Sequence, residues 1–212
     1  MKRKITIDIL LTILLMILML GQYTGVLIHE ILGICIIILF IAHHVLNKEY
    51  YKNIFKGKYN KLRVIYLIID TLMFIMLFLM IISTFMISRK LLVFMGLSNE
   101  YYGRILHVIS GYSLYILCGI HLGLHYNRMI KLKKESKTIL NIFMVLIAFI
   151  FGISAFLKRK IISKLTLEIM YPIYSEDSII ISFIDYLSMF ILFMMIGYAI
   201  FNIIKIKKKK ES

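Results

Sequence analysis

VLIHEILGICIIILFIAHHVL, residues 26–46, decides the fold class. Only His29, Glu30, Cys35, His43 and His44 in this run carry ionisable side chains. At 1.5 Å per residue a helix of this length crosses about 30 Å of hydrocarbon. It lacks the period-two alternation of a barrel strand and is far longer than one, so the backbone satisfies itself as a helix. Five further apolar runs follow the same pattern, at 5–24, 63–87, 104–126, 138–157 and 179–204. The first two are joined by a very short link around Gly21 to Gly25, which predicts a tight helical hairpin. The expected fold is therefore all-α, a polytopic bundle of six membrane spans.

Composition points the same way. The 212 residues are 61% hydrophobic, with a mean hydropathy of +0.89, one Pro and no Trp. Soluble domains run near 45–50% apolar, so a water-soluble enzyme, a disordered chain and a disulfide scaffold are excluded. Cys35 and Cys118 both lie inside apolar runs, and no C-x-x-C-H is present for covalent haem. The formal charge of +15 does not indicate nucleic acid, because the basic residues fall in short clusters between the runs. Nineteen of the 26 Lys and Arg lie in the N-terminus, the 47–63 and 127–137 loops and the C-terminal tail. That asymmetry places both termini in the cytoplasm and makes spans two and four run in the same direction. The lysine-rich tail (Lys205, Lys207 to Lys210) reads as a topology anchor on anionic headgroups. The KRK start resembles a signal peptide, but no A-x-A site follows, so it is read as an uncleaved first span.

All six histidines fall in spans two and four: His29, His43 and His44, then His107, His121 and His125. Ionisable groups inside a membrane are costly and mark function. Both His29 to His43 and His107 to His121 are fourteen-residue steps, each an advance of about 21 Å that returns to within about 40° of the same face. Each span thus offers one inward histidine near its outer end and one near its inner end, level with its counterpart. Facing imidazoles at one depth supply both axial ligands of a haem, and two such levels predict two stacked haems b. Gly33 and Gly111 each follow an outer histidine by four residues, leaving room for a flat porphyrin or simply for close helix packing. The inner pair is His43 and His121, with His44 and His125 as alternates. His125 also suits a hydrogen bond to a propionate or a quinone. Arg104, one turn before His107, suits an outer propionate, and Lys61 and Arg63 suit either inner propionates or membrane anchoring. Asp8 and Asp70 either exchange protons at a quinone site or, the simpler expectation, pair with basic groups.

Several motifs taken together, KITIDILL at 4–11, YTGVLIHEILG at 23–33, HHVLN at 43–47, FKGKY at 55–59, RILH at 104–107 and HLGLHY at 121–126, resemble the flavinylation-associated cytochrome family. The likeness covers residues 4–126, the first four spans. It implies a di-haem b-type cytochrome of the bacterial cytoplasmic membrane, with His29, His43, His107 and His121 as haem ligands. It further implies electron transfer from a quinol or cytoplasmic-side donor to an extracytosolic protein bearing covalent FMN. The family's last histidine motif ends in Trp where this chain has Tyr126. Residues 1–126 would form the four-helix di-haem domain, and 127–212 two added spans outside the resemblance. The rival readings use His43, His44, His121 and His125 as a metal-enzyme centre or a proton or metal transport path. Against transport through broken helices, no span contains Pro, and Pro172 falls in an outside loop.

Overall fold

The computed structural model describes residues 2–95, 99–129, 139–168 and 176–210, and every long regular element among them is an α-helix. Helix α1 runs Lys2–Leu18, α2 is the single turn Gly21–Thr24, and α3 spans Val26–Leu46. A short α4 (Lys48–Asn53) precedes α5 (Lys61–Ile87), and α6 covers Glu100–Met129. Then come α7 (Ile139–Lys158), the one-turn α8 (Ile161–Leu165) and α9 (Ile179–Lys210). Four segments are long and apolar enough to cross a membrane: Val26–Leu46, Lys61–Ile87, Glu100–Tyr126 and Ile179–Ile206. These are the second, third, fourth and sixth of the six expected runs. The first run is divided instead. It forms the 17 residues of α1, a turn at 19–20, and α2, after which Gly25 at φ +73° reverses the chain into α3. In the fifth run the described side chains give the shorter apolar stretch Leu146–Lys158. Pro172 and most of the 127–137 loop lie outside the described residues.

The helices pack as a dense group, α5, α6, α7 and α9, and a looser pair, α1 with α3. Glycine makes the dense part possible. A Cβ on Gly123 of α6 would stand 2.0 Å from the Met194 carbonyl oxygen of α9, and one on Gly197 of α9 would stand 2.1 Å from the Ile120 carbonyl oxygen of α6. The two backbones therefore touch through reciprocal glycines, the small-residue contact expected where lipid gives no hydrophobic drive between helices. Gly152 does the same for α7 against α9, at 2.7 Å from Leu192 Cβ. Tyr115 and Met189 are fully buried at this junction. Outward, Ile38, Val45, Phe78 and Ile150 are each 60% or more exposed. Such a belt is unstable against water and suits hydrocarbon. A lipid bilayer is the environment this surface fits.

Charges gather where α7, α8 and α9 meet. The Arg159 guanidinium, 7% exposed, contacts Asp185 at 2.7 Å, Asp177 at 2.9 Å and the Ser182 hydroxyl at 3.0 Å. Lys158 reaches the same two carboxylates, so two cations face two anions. Tyr23 of α2 donates to the Asp177 carbonyl at 2.6 Å and lies 2.7 Å from Ser182 Oγ, which ties the α1–α3 turn to this network. Beside it Lys164 donates to the Tyr112 hydroxyl at 2.8 Å. Burial, and then the Arg159 charge, push the Lys164 amine down to about 8. Between that value and its ordinary 10.5, the unfolded chain holds a proton that the folded chain has released. Stability therefore rises with pH across this window. Thermal unfolding in detergent should show that rise, and Lys164→Met should flatten it relative to the parent chain.

Candidate haem-ligating histidines

His29 and His107 stand at one level on facing helices, with ring centroids 6.0 Å apart and planes at 60°. Two imidazoles bound to one metal at about 2 Å each, with about 1 Å more from nitrogen to ring centre, lie about 6 Å apart. The outer pair has that separation. His107 is oriented by the Ser83 hydroxyl, 3.1 Å from its Nδ1. His29 lies against Gly21, where a Cβ would stand 2.9 Å from the ring nitrogen, and its Nδ1 is buried with no hydrogen-bond partner. A Cβ on Gly33 would meet nothing within 4 Å, and one on Gly111 only the flexible end of Met80 at 3.0 Å. Both positions therefore leave room beside the outer pair. The backbone of α3 packs chiefly on α1 and α2, so α3 approaches α6 through side chains rather than through extensive backbone contact.

At the other end the four remaining histidines form two neighbouring pairs, His43 with His44 at 5.3 Å between ring centroids and His121 with His125 at 4.6 Å, and each ring has different further partners. His43 Nδ1 lies 2.7 Å from Asp8 Oδ1 of α1. Its Nε2 lies 3.4 Å from the Asn47 side-chain amide nitrogen. His121 Nδ1 lies 2.9 Å from Asp70 Oδ1 of α5, a close contact without the alignment of a hydrogen bond. His44 packs edge-on to Phe40 and Phe74, touches the Tyr51 hydroxyl, and buries an unpartnered Nε2. His125 stacks on Tyr66 at 4.6 Å and lies at the same centroid distance from His121. Among the described residues no group of three or more His, Cys, Asp and Glu side chains is arranged to hold a metal ion. The orphaned Nε2 of His44 and the carboxylate-backed ring of His43 keep both inner alternatives on α3 in play.

Three expectations change in detail. Asp8 and Asp70 do pair with basic groups, and the partners are histidines, because their helices bring them level with His43 and His121. Arg104 engages Glu100 one turn earlier at 3.2 Å, and Glu100 also holds Arg89 at 2.9 Å. Arg63 donates to the carbonyls of Asn53 and Ile54 and covers the Tyr59 ring, so it clamps the loop ahead of α5. Sequence reasoning missed Ser83, Gly21 and Tyr50. Ser83 was visible as a hydroxyl inside the 63–87 run, whereas nothing local marks Gly21 as the seat of His29. The Tyr50 hydroxyl donates to Asp70 at 2.6 Å, and burial and that carboxylate raise the phenol well above its ordinary range.

No protein-family model, curated protein or solved structure matches the chain. The arrangement of the histidines therefore carries the functional reading.

Proposed function

We propose that this protein is a b-type cytochrome that moves electrons across the bacterial cytoplasmic membrane through two bis-histidine haems. The observation that carries the reading is the His29–His107 pair, 6.0 Å between ring centres at one level of two apolar helices. His29 and His107 would hold the outer haem. His121 with His43, or with its neighbour His44, would hold the inner one. Bound there, the two groups would supply one-electron redox chemistry at two depths. The chain's own part is to present the imidazoles, keep them in a low-dielectric setting and orient them through Ser83, Asp8 and Asp70. Gly33 and Gly111 would keep space beside the outer ligands, and Arg104 at the outer rim would move from Glu100 to a propionate.

In this reading six spans form, with α1 and α2 as the first and α7 as the fifth, and both termini face the cytoplasm. The donor would be a quinol or another reductant reaching the Asp8 and Asp70 end, and the acceptor an extracytosolic flavoprotein with covalent FMN. That partner assignment follows the resemblance to the flavinylation-associated cytochromes.

The deciding test is a dithionite-reduced minus oxidised spectrum with a pyridine haemochrome assay on protein purified from haem-replete cells. Two haems b per chain are expected. Absence of Soret and α bands would sink the cytochrome and leave the metal-site or transport readings of the inner histidines.

A further inference from the structure

Helices α7, α8 and α9 carry no histidine, yet they grip the piece of chain that seats His29. Helix α3 has little of its own to fix it at that level. No residue of α3 is buried, and its backbone packs chiefly on α1 and α2. On one side Glu30 ties its outer end to the loop after α5, accepting the backbone N–H groups of Arg89 and Leu91 at 2.8 and 2.7 Å. On the other side the His29 ring rests against Gly21 of α2, where a Cβ would stand 2.9 Å from its Nδ1. Helix α2 is one turn of four residues with no buried side chain, and a single turn does not hold itself together. Whatever anchors α2 therefore sets where His29 stands.

The anchor has an apolar and a polar part. Met16 and Leu20, just ahead of α2, are 5% and 6% exposed and share one core with Ile161 of α8 and Phe190 of α9, while Ile9 and Ile13 earlier in α1 stay exposed. Tyr23, two residues after Gly21, donates its single proton to the Asp177 carbonyl at 2.6 Å. The fully buried Ser182 hydroxyl, 2.7 Å away, then donates to the Tyr23 oxygen and accepts from the Arg159 guanidinium at 3.0 Å. Arg159 in turn is held by Asp185 and Asp177 at 2.7 and 2.9 Å. Every donor in this chain has an acceptor, so its geometry is fixed from the ion pairs up to the phenol. Resting on the reading of His29 and His107 as the outer pair, we propose that Tyr23 is a positioning residue for His29, through which α7–α9 hold that pair in register. These helices contribute no ligand; their part in the site is to keep Gly21 under the imidazole.

The test compares the purified parent chain with Tyr23→Phe, Ser182→Ala and Gly152→Ala. Two readings are taken on the same samples, amide hydrogen exchange in detergent and the low-spin electron paramagnetic resonance signal of bound haem. Residues 21–29 of Tyr23→Phe should exchange about tenfold faster than in the parent, the factor that losing one buried hydrogen bond brings. Residues 104–110, around His107, should keep the parent rate. The resonance that His29→Ala abolishes should shift in Tyr23→Phe, because it follows the mutual orientation of the two imidazole planes. Ser182→Ala keeps the bond from Tyr23 to Asp177 and should move both readings the same way by less. Gly152→Ala crowds α7 against α9 without touching Tyr23, and should lower the melting temperature while leaving both readings in place. Readings in Tyr23→Phe that match the parent overturn the proposal, and so does a Gly152→Ala chain that moves them as far. Should Tyr23→Phe not fold, unmoved readings in Ser182→Ala overturn it instead. A parent chain without haem removes the outer-pair reading, and the exchange comparison then decides the Tyr23 tether by itself.

Discussion

The His107→Ala variant is expected to bind one haem b per chain where the parent binds two, with the surviving haem at the inner end. His107 stands on α6 with its ring aimed at His29, and Ser83 holds it there at 3.1 Å. An alanine leaves the opposite ligand without a counterpart on the dense side of the bundle, and no other histidine lies at that level. The loss should be close to complete at that site, because a bis-imidazole group has no second protein ligand to substitute. Pyridine haemochrome stoichiometry, read beside the reduced minus oxidised spectrum, checks it. His29→Ala should give the same halving. A His107→Ala protein that keeps two haems would show that His107 is a packing histidine and would move the outer ligand elsewhere.

Replacing Gly123 or Gly197 with leucine should prevent α6 and α9 from packing at all. Even a single methyl at either position would overlap a carbonyl of the other helix, at 2.0 and 2.1 Å. Contacts of that kind are relieved only by moving one helix backbone, and overpacking of tight sites costs about 1–3 kcal/mol or more. A leucine multiplies the overlap, and Tyr115, whose hydroxyl donates to the Tyr186 carbonyl of α9, would lose its partner with the crossing. Size-exclusion profiles in detergent should show loss of the monodisperse species for Gly197→Leu and a lowered melting temperature for Gly197→Ala. The same leucine placed at Gly33, where a Cβ meets nothing, should leave the profile unchanged and affect only cofactor content. A monodisperse, heat-stable Gly197→Leu chain would mean that the two backbones do not touch at this crossing.

These two expectations draw on different sources. That His29 and His107 occupy one end and His43 and His121 the other was legible along the chain, because a helix advances and turns by fixed amounts per residue. Fourteen-residue steps on two runs of equal direction already set two levels, and the structure brings the first pair within 6.0 Å. The four long spans were legible for the same reason, since length and apolarity are properties of a segment alone. The division of the first run was not, because no glycine or proline marks the turn at Met19 and Leu20, whereas the reversal at Gly25 falls in the short link that the glycines made legible.

The identity of each histidine's neighbour was beyond local reading. Asp8 precedes His43 by 35 residues and Asp70 precedes His121 by 51, and their pairing depends on how α1 and α5 rotate against α3 and α6. Faces that are uniformly Ile, Leu, Phe and Met carry no stripe from which that rotation follows. Between α5 and α6 it goes with a close approach that only the packed structure shows, where a Cβ on Gly103 would stand 2.8 Å from Met86 Cβ. Helix periodicity thus determined the depth of every histidine, and helix packing alone decided which met a carboxylate and which met a hydroxyl. Depth is a one-dimensional property of a single helix, whereas a neighbour belongs to two helices at once.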